Sequence, residues 1–285
     1  MPPVPAPQQM PERQPIPGVK NLVAIASGKG GVGKTTVAVN LALALAKLTN
    51  ASAPNKVGLL DADVYGPNVP IMLGTSQEPR ATPEKRIYPI EVQGIKMISM
   101  GLLNPGDKPM IWRGPMLHSV ITQFLRSADW GELDYLVIDL PPGTGDVQLT
   151  LIQTVSVSGA VVVTTPSTVA LADVRKAIEM FRQVNIEILG VVENMSSFAC
   201  PHCGKPVDIF GHGEGVRTAR AYGVPVLGEI EIDPRIRIGG DTGKPVATLG
   251  ENAAAAKSLY AVARAVSARL DELGSSTLGP SVQID

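Results

Sequence analysis

Aromatic side chains are scarce. Phe, Trp and Tyr together make up 4% of the 285 residues, too few for the stacking platforms that hold single-stranded nucleic acid. An excess of one charge is missing too. The formal net charge is −1 and like charges do not cluster, which argues against nucleic acid as the main partner, because a phosphate backbone demands a basic face. No apolar run approaches the roughly 18 residues of a membrane-spanning helix. Met1 to Gly18 is dense in proline and has no apolar core, so it is expected to be a disordered tail over residues 1–18 rather than a secretory signal. Cysteine is limited to Cys200 and Cys203. One such close pair rarely staples a secreted chain of this size, so a reducing cytoplasm with these thiols in metal or redox chemistry fits better.

What is present is a strict alternation. With 44% hydrophobic residues the chain can build a full core. Continuous apolar runs read as buried strands at Leu22 to Ala26, Val57 to Asp61, Ile95 to Met100, Tyr135 to Leu140, Ala160 to Thr165, Ile188 to Asn194 and Val226 to Ile230. Helical patterns fall at Thr35 to Leu48, Met116 to Ser127, Val147 to Val155, Ala172 to Val184, Val216 to Tyr222 and Ala253 to Leu273. Strands apolar on both faces with helical crossovers predict an α/β fold: a doubly wound, mostly parallel sheet with helices on both faces and ligands at the strands' carboxyl ends. Arg86 to Val92 and Ile95 to Met100, split by Gln93-Gly94, predict a hairpin near one sheet edge. One domain over 19–275 is expected, with an insertion at 198–212 and a flexible tail at 276–285.

Between the first strand and first helix stands Gly28-Lys29-Gly30-Gly31-Val32-Gly33-Lys34-Thr35-Thr36. It satisfies G-x-x-x-x-G-K-[ST] in the strand–loop–helix setting that a phosphate loop requires. Glycines let successive N–H groups face one anion, and the helix amino terminus adds partial positive charge. Lys34 is placed to reach the β and γ phosphates of ATP, and the Thr35 hydroxyl to ligate Mg²⁺. Lys29 is an extra cation. Delivered to a neighbouring subunit's γ-phosphate, it would act as an arginine finger does and make catalysis require a homodimer. Asp61, Asp63 and Asp139 end hydrophobic strands, where carboxylates hold Mg²⁺ through water and orient the attacking water. Gly143 is expected to offer its N–H to the γ-phosphate. Asn194, at another strand end, is expected to read the adenine edge, with Asp233-Pro234-Arg235 flanking the base.

Cys200-Pro201-His202-Cys203 is the second constellation, with several readings. A redox dithiol is disfavoured, because Gly204, Lys205 and Pro206 follow and deny the first thiol a helix amino terminus. A structural zinc knuckle would draw on the two thiolates with His202 and His212 as helpers. An iron–sulfur cluster shared between two chains would take two cysteines from each, giving the four thiolates of [4Fe–4S]. Zinc fills the same four-thiolate set.

The loop Lys29-Gly30-Gly31-Val32-Gly33-Lys34-Thr35 resembles the deviant P-loop of the MinD/ParA ATPases. Asp61-Ala62-Asp63-Val64-Tyr65-Gly66-Pro67-Asn68, Asp139-Leu140-Pro141-Pro142-Gly143-Thr144-Gly145-Asp146 and Glu193-Asn194-Met195-Ser196 followed by Cys200-x-x-Cys203 resemble its Mrp/ApbC branch. The similarity runs from about Lys20 to Leu270. It implies an ATP-hydrolysing carrier that holds a [4Fe–4S] cluster at a homodimer interface and delivers it to apoproteins. It assigns Lys34 and Thr35 to phosphate and magnesium, Lys29 to the signature lysine acting across the dimer, Asp63 and Asp139 to the switch acids, and Cys200 and Cys203 to the bridging ligands. Some members carry an amino-terminal cysteine cluster or extra domain; neither occurs here, so no second stable cluster is expected. The alternative is a positioning or regulatory ATPase with structural zinc at the cysteine pair. Positioning members use a basic amphipathic carboxyl-terminal helix or basic face, whereas Gly274-Ser275-Ser276-Thr277 after Leu273 is neither, so a membrane partner is not expected.

Overall fold

The apolar runs assemble into one nine-stranded sheet. The computed structural model describes residues 13–50, 53–63, 66–83, 86–103 and 122–277. In chain order the elements are β1 (Val19–Ala26), α1 (Lys34–Lys47), a small ribbon of β2 (Thr49–Asn50) and β3 (Ala53–Pro54), β4 (Val57–Asp61), α2 (Val69–Leu73), β5 (Arg80–Ala81), β6 (Ile87–Tyr88), β7 (Ile90–Val92) and β8 (Ile95–Ser99). A short helix α3 (122–127) follows. Then come β9 (Leu133–Asp139), α4 (Asp146–Thr154), β10 (Gly159–Thr164), α5 (Thr168–Gln183), β11 (Ile188–Ala199), β12 (Pro206–Val207), α6 (Glu214–Ala221), β13 (Val226–Ile232), α7 (Pro234–Asp241) and α8 (Lys257–Thr277). The sheet order is β12–β11–β10–β1–β9–β4–β8–β7, with β13 also on β11. All pairs are parallel except β7–β8 and β11–β12.

Strand periodicity explains the two cores. Val23 and Ile25 point to one face and Leu22, Ala24 and Ala26 to the other; Val137 and Leu136 divide the same way. The first face is covered by α1 and α8, the second by α4 and α5. Helix α1 is buried without a break from Val37 to Ala46, where alanine alternates with Val and Leu. It is apolar all round because the sheet lies under it and α8 beside it.

The expected strand Arg86 to Val92 is broken. Pro89 separates β6, which pairs with β5, from β7, which pairs with β8; proline has no N–H to continue a ladder. The β7–β8 turn is the expected Gln93-Gly94, with positive φ of 53° and 81°. The tail expected over 1–18 is docked at its end: Ile16 is 6% exposed in the second core, Gln14 bridges Val155 and the Ser156 N–H donates to the Gln14 carbonyl at 3.2 Å. A single isoleucine among the prolines anchors this otherwise exposed stretch. At the other end α8 starts at Lys257 rather than Ala253 and continues to Thr277. Most of the helix expected over Met116 to Ser127, and the tail beyond Thr277, lie outside the described residues.

Candidate functional site

Three parallel strands end side by side at one place. In the ladder Ile25 of β1 is level with Asp139 of β9, and Asp139 with Asp61 of β4. The glycine-rich loop leaves β1 here and turns into α1 through Gly33, whose φ is +78°. A Cβ at Gly33 would stand 2.3 Å from the Asn194 Nδ2 atom, so both conformation and space require glycine. Gly28 is equally confined, by the backbone of Asp173 in α5. Ser27, fully buried, ties the loop together: its hydroxyl donates to the Lys29 carbonyl at 2.9 Å, and its own carbonyl accepts the Gly143 N–H at 3.0 Å.

The charged centre is compact. Lys34 Nζ lies 2.5 Å from Asp139 Oδ1 and 3.6 Å from Asp63 Oδ2. Thr35 Oγ1 donates to Asp139 Oδ2 at 2.7 Å. Asp61, with 0% exposure, accepts the Asp63 N–H at 3.2 Å and the Ser99 hydroxyl at 2.7 Å. It therefore positions Asp63 rather than facing the cavity. Burial, reinforced by the Asp139 carboxylate, pushes the Asp61 carboxyl up to about 7. Burial also raises the Asp139 carboxyl, against the opposing pull of Lys34 and Thr35. The Asp63 Oδ1 oxygen is buried without a hydrogen-bond partner. A hydroxyl and two carboxylates, one with an orphaned oxygen, form a hard oxygen donor set that fits Mg²⁺.

A cavity of about 680 Å³ opens over this centre. Its walls include Lys29, Gly30, Gly31, Gly33, Lys34, Thr35, Thr36, Asp63 and Asn194. Gly28 and Val32 belong to the loop but not to the wall; Val32 points into the core. Gly143 is held by Ser27, and Pro142 takes its place in the wall. Asn194 donates through Nδ2 to the Val32 carbonyl at 2.8 Å, so it braces the phosphate loop as well as facing the cavity. Pro234 opens α7, while its neighbours Asp233 and Ile236 do the lining. Asp233 caps α7 by accepting the Arg235 N–H at 2.8 Å, and Arg235 holds its carboxyl below the usual range. The Asp-Pro pair was a legible helix start. Met195 follows Asn194 within the motif Glu193-Asn194-Met195-Ser196, whereas the contributions from Ile71, Met72, Phe210 and Arg237 carried no motif. Lys29 is half-buried at the cavity and makes no ion pair among the described residues.

The cysteines sit at the tip of the β11–β12 hairpin. The Cys200 N–H donates to the Lys205 carbonyl at 2.9 Å, and the Gly204 N–H to the Cys200 carbonyl at 2.8 Å. Both thiols are free, Cys203 exposed and Cys200 half-buried. The backbone N–H groups of His202 and Cys203 and the Cys203 thiol lower the Cys200 pKa, favouring the thiolate that ligates metal. His212, a helper in the zinc reading, lies instead beside Glu193 and Glu229, with ligand atoms within 4.8 Å of one another. Among the described residues no third His, Cys, Asp or Glu completes a ligand group with the cysteine pair.

A parallel sheet carrying a phosphate loop, a buried lysine and two strand-end acids defines a P-loop nucleoside triphosphatase. The family model described as ParA: NUBPL iron-transfer P-loop NTPase matches residues 18–267, and the chain belongs to that family. It is 52% identical to an iron–sulfur cluster carrier protein of Aquifex aeolicus, over 91% of this chain and 71% of that one. It is 46% identical to the iron–sulfur cluster transfer protein NUBPL of Mus musculus, over 92% and 81%. Among solved structures it resembles a nucleotide-binding protein of Archaeoglobus fulgidus in complex with ADP (TM-score 0.69, 40% identity, 80% of this chain and 88% of that one). The cell-division ATPase MinD of Pyrococcus furiosus shares the fold (TM-score 0.64, 24% identity, 87% and 99%). No helix among the described residues is long and apolar enough to cross a membrane.

Proposed function

We propose that this chain binds and hydrolyses ATP, holds a [4Fe–4S] cluster between two copies of itself and passes the cluster to apoproteins. The observation that carries this reading is half a ligand set: two thiols at a hairpin tip, with no third donor completing a ligand group among the described residues. A second copy supplies the other two thiolates. A structural zinc within one chain is not favoured, since His212 is spent elsewhere.

At the nucleotide, loop amides and Lys34 would bind the β and γ phosphates, competing with Asp139 for the ammonium. Thr35, with Asp63 and Asp139 through water, would hold Mg²⁺, which when bound neutralises developing phosphate charge. Asp63 and Asp139 would also orient the attacking water. Lys29, with no ion pair among the described residues, would reach the partner's γ-phosphate, so hydrolysis would be slow in the monomer. Asn194 links the two chemistries: it braces the P-loop from the strand that ends, five residues later, at Ala199 before the first thiol.

Anaerobic reconstitution with iron and sulfide tests the reading. Wild type is expected to gain visible charge-transfer absorbance and shift to dimer size, and Cys200→Ala to do neither. Equal iron and sulfide uptake by both proteins, or zinc as the only metal retained, would reject it.

A further inference from the structure

The segment that carries the cysteines also helps to wall the nucleotide cavity, through Asn194, Met195 and Phe210. Phe210 lines the cavity together with Asn194, Met195 and Ile232, and it is 48% exposed. A polyphosphate, bound through amides and an ammonium group, has no use for an aromatic face. A nucleobase or ribose does.

Phe210 and the thiols also travel together. Six residues separate Phe210 from Cys203, and the stretch is closed by hydrogen bonds: Phe198 pairs with Val207, Ala199 with Pro206, and the Gly211 N–H donates to the Asp208 carbonyl at 3.4 Å. Both ends of the unit are marked. At its start Met195 has φ +57°, a strained value for a side chain of this size, and the β11–β13 register slips between Asn194 and Phe198. At its finish Gly213 has φ +73°. Outside these two points the chain is fixed. Asn194 is bonded to the P-loop, and the Glu193 carboxylate accepts the N–H groups of Gly213 at 3.0 Å and Gly215 at 2.6 Å. Residues 195–213 thus form one hairpin unit between these two marked points, joined to β13 through the Phe198–Ile232 pair, with the thiols at one end and Phe210 in the nucleotide wall.

We infer that Phe210 packs against the nucleoside end of bound ATP, and that this contact carries nucleotide occupancy to Cys200 and Cys203 within a single chain. The inference rests on the proposed reading only in taking ATP as the occupant of the cavity.

The test uses the full-length, reduced, metal-free protein with Mg²⁺ and either a non-hydrolysable ATP analogue or inorganic tripolyphosphate. Calorimetry gives the affinities, and iodoacetamide alkylation gives the reactivity of the two thiols. Phe210→Ala is expected to weaken the analogue about tenfold, as loss of one base–aromatic contact does, and to leave tripolyphosphate unchanged. Phe210→Trp is expected to keep analogue affinity. In wild type the analogue, but not tripolyphosphate, is expected to change the alkylation rate by about twofold or more; saturated Phe210→Ala is expected to show no change. Equal analogue affinity in wild type and Phe210→Ala would overturn the contact. A thiol response that survives Phe210→Ala, that tripolyphosphate reproduces, or that is missing in wild type would overturn the coupling. If wild type binds neither ligand and matches Lys34→Ala, the nucleotide reading itself fails, a result distinct from the others.

Discussion

Replacing Lys34 by alanine is expected to destabilise the protein before any nucleotide is added. The ammonium is 5% exposed and lies 2.5 Å from Asp139, whose side chain is fully buried, and 3.6 Å from Asp63. Asp61 is buried beside them, and among the described residues no other cation pairs with these acids. Deleting one partner of a buried ion pair costs about 3–5 kcal/mol, because the remaining charge stays desolvated. Here the acids have an escape. Asp61 is already pushed up to about 7 and Asp139 is raised, so a proton can replace the ammonium. We therefore expect a loss of about 3 kcal/mol at pH 8, equivalent to roughly 6–12 °C in Tm for a chain of this size, shrinking to about 1 kcal/mol at pH 5.5. Thermal and denaturant unfolding followed by circular dichroism in magnesium-free buffer measures both. An unchanged Tm at pH 8, or an equal loss at the two pH values, would show that Lys34 does not neutralise this cluster.

The same cluster predicts a pH slope. The folded state binds the Asp61 proton more tightly than the unfolded chain, so this contribution is complete below about pH 4 and is lost as pH rises through about 7. Asp61→Asn should flatten the fall in stability between pH 5 and 8 by on the order of 3 kcal/mol at most; an unaltered slope in unfolding experiments would contradict the assignment. Gly33→Ala should cost about 1–3 kcal/mol and weaken Mg·ATP at least about tenfold, because Asn194 must leave the Val32 carbonyl and the loop must abandon its positive φ. Gly30→Ala, with nothing within 4 Å of the added Cβ, should barely change stability, and similar unfolding curves for the two variants would refute the argument.

The parts of this protein legible in its sequence are those written in contiguous residues. Buried parallel strands announce themselves as unbroken Val, Ile and Leu runs, and the phosphate loop by glycines at fixed offsets from Lys34. The ends of β4 and β9 gave the acids; the resemblance singled out Asp63 with Asp139, and the structure supplies the reason, with Asp63 in the cavity and Asp61 beneath it. What escaped depends on distance. Ile16, alone in a proline-rich stretch, is held by partners distant in sequence, since its neighbour Gln14 bridges Val155 and Ser156. Pro89 divides Arg86 to Val92 because the two halves pair with different partners, β5 and β8. The cavity wall from α2, α7 and the loop holding Phe210 could not be read locally, since no spacing relates Ile71 to Ile236 or Phe210.

Helix α1, enclosed from Val37 to Ala46, has a consequence for how any signal leaves the phosphate. An element without a solvent face opens only with the whole molecule, so its amide protons should be among the slowest to exchange, at a rate set by global unfolding. Occupancy of the loop at its amino end cannot be relayed by loosening or sliding this helix. Whatever yields must lie in the cavity wall outside α1, where Ile71, Phe210 and Ile232 line the space without such enclosure.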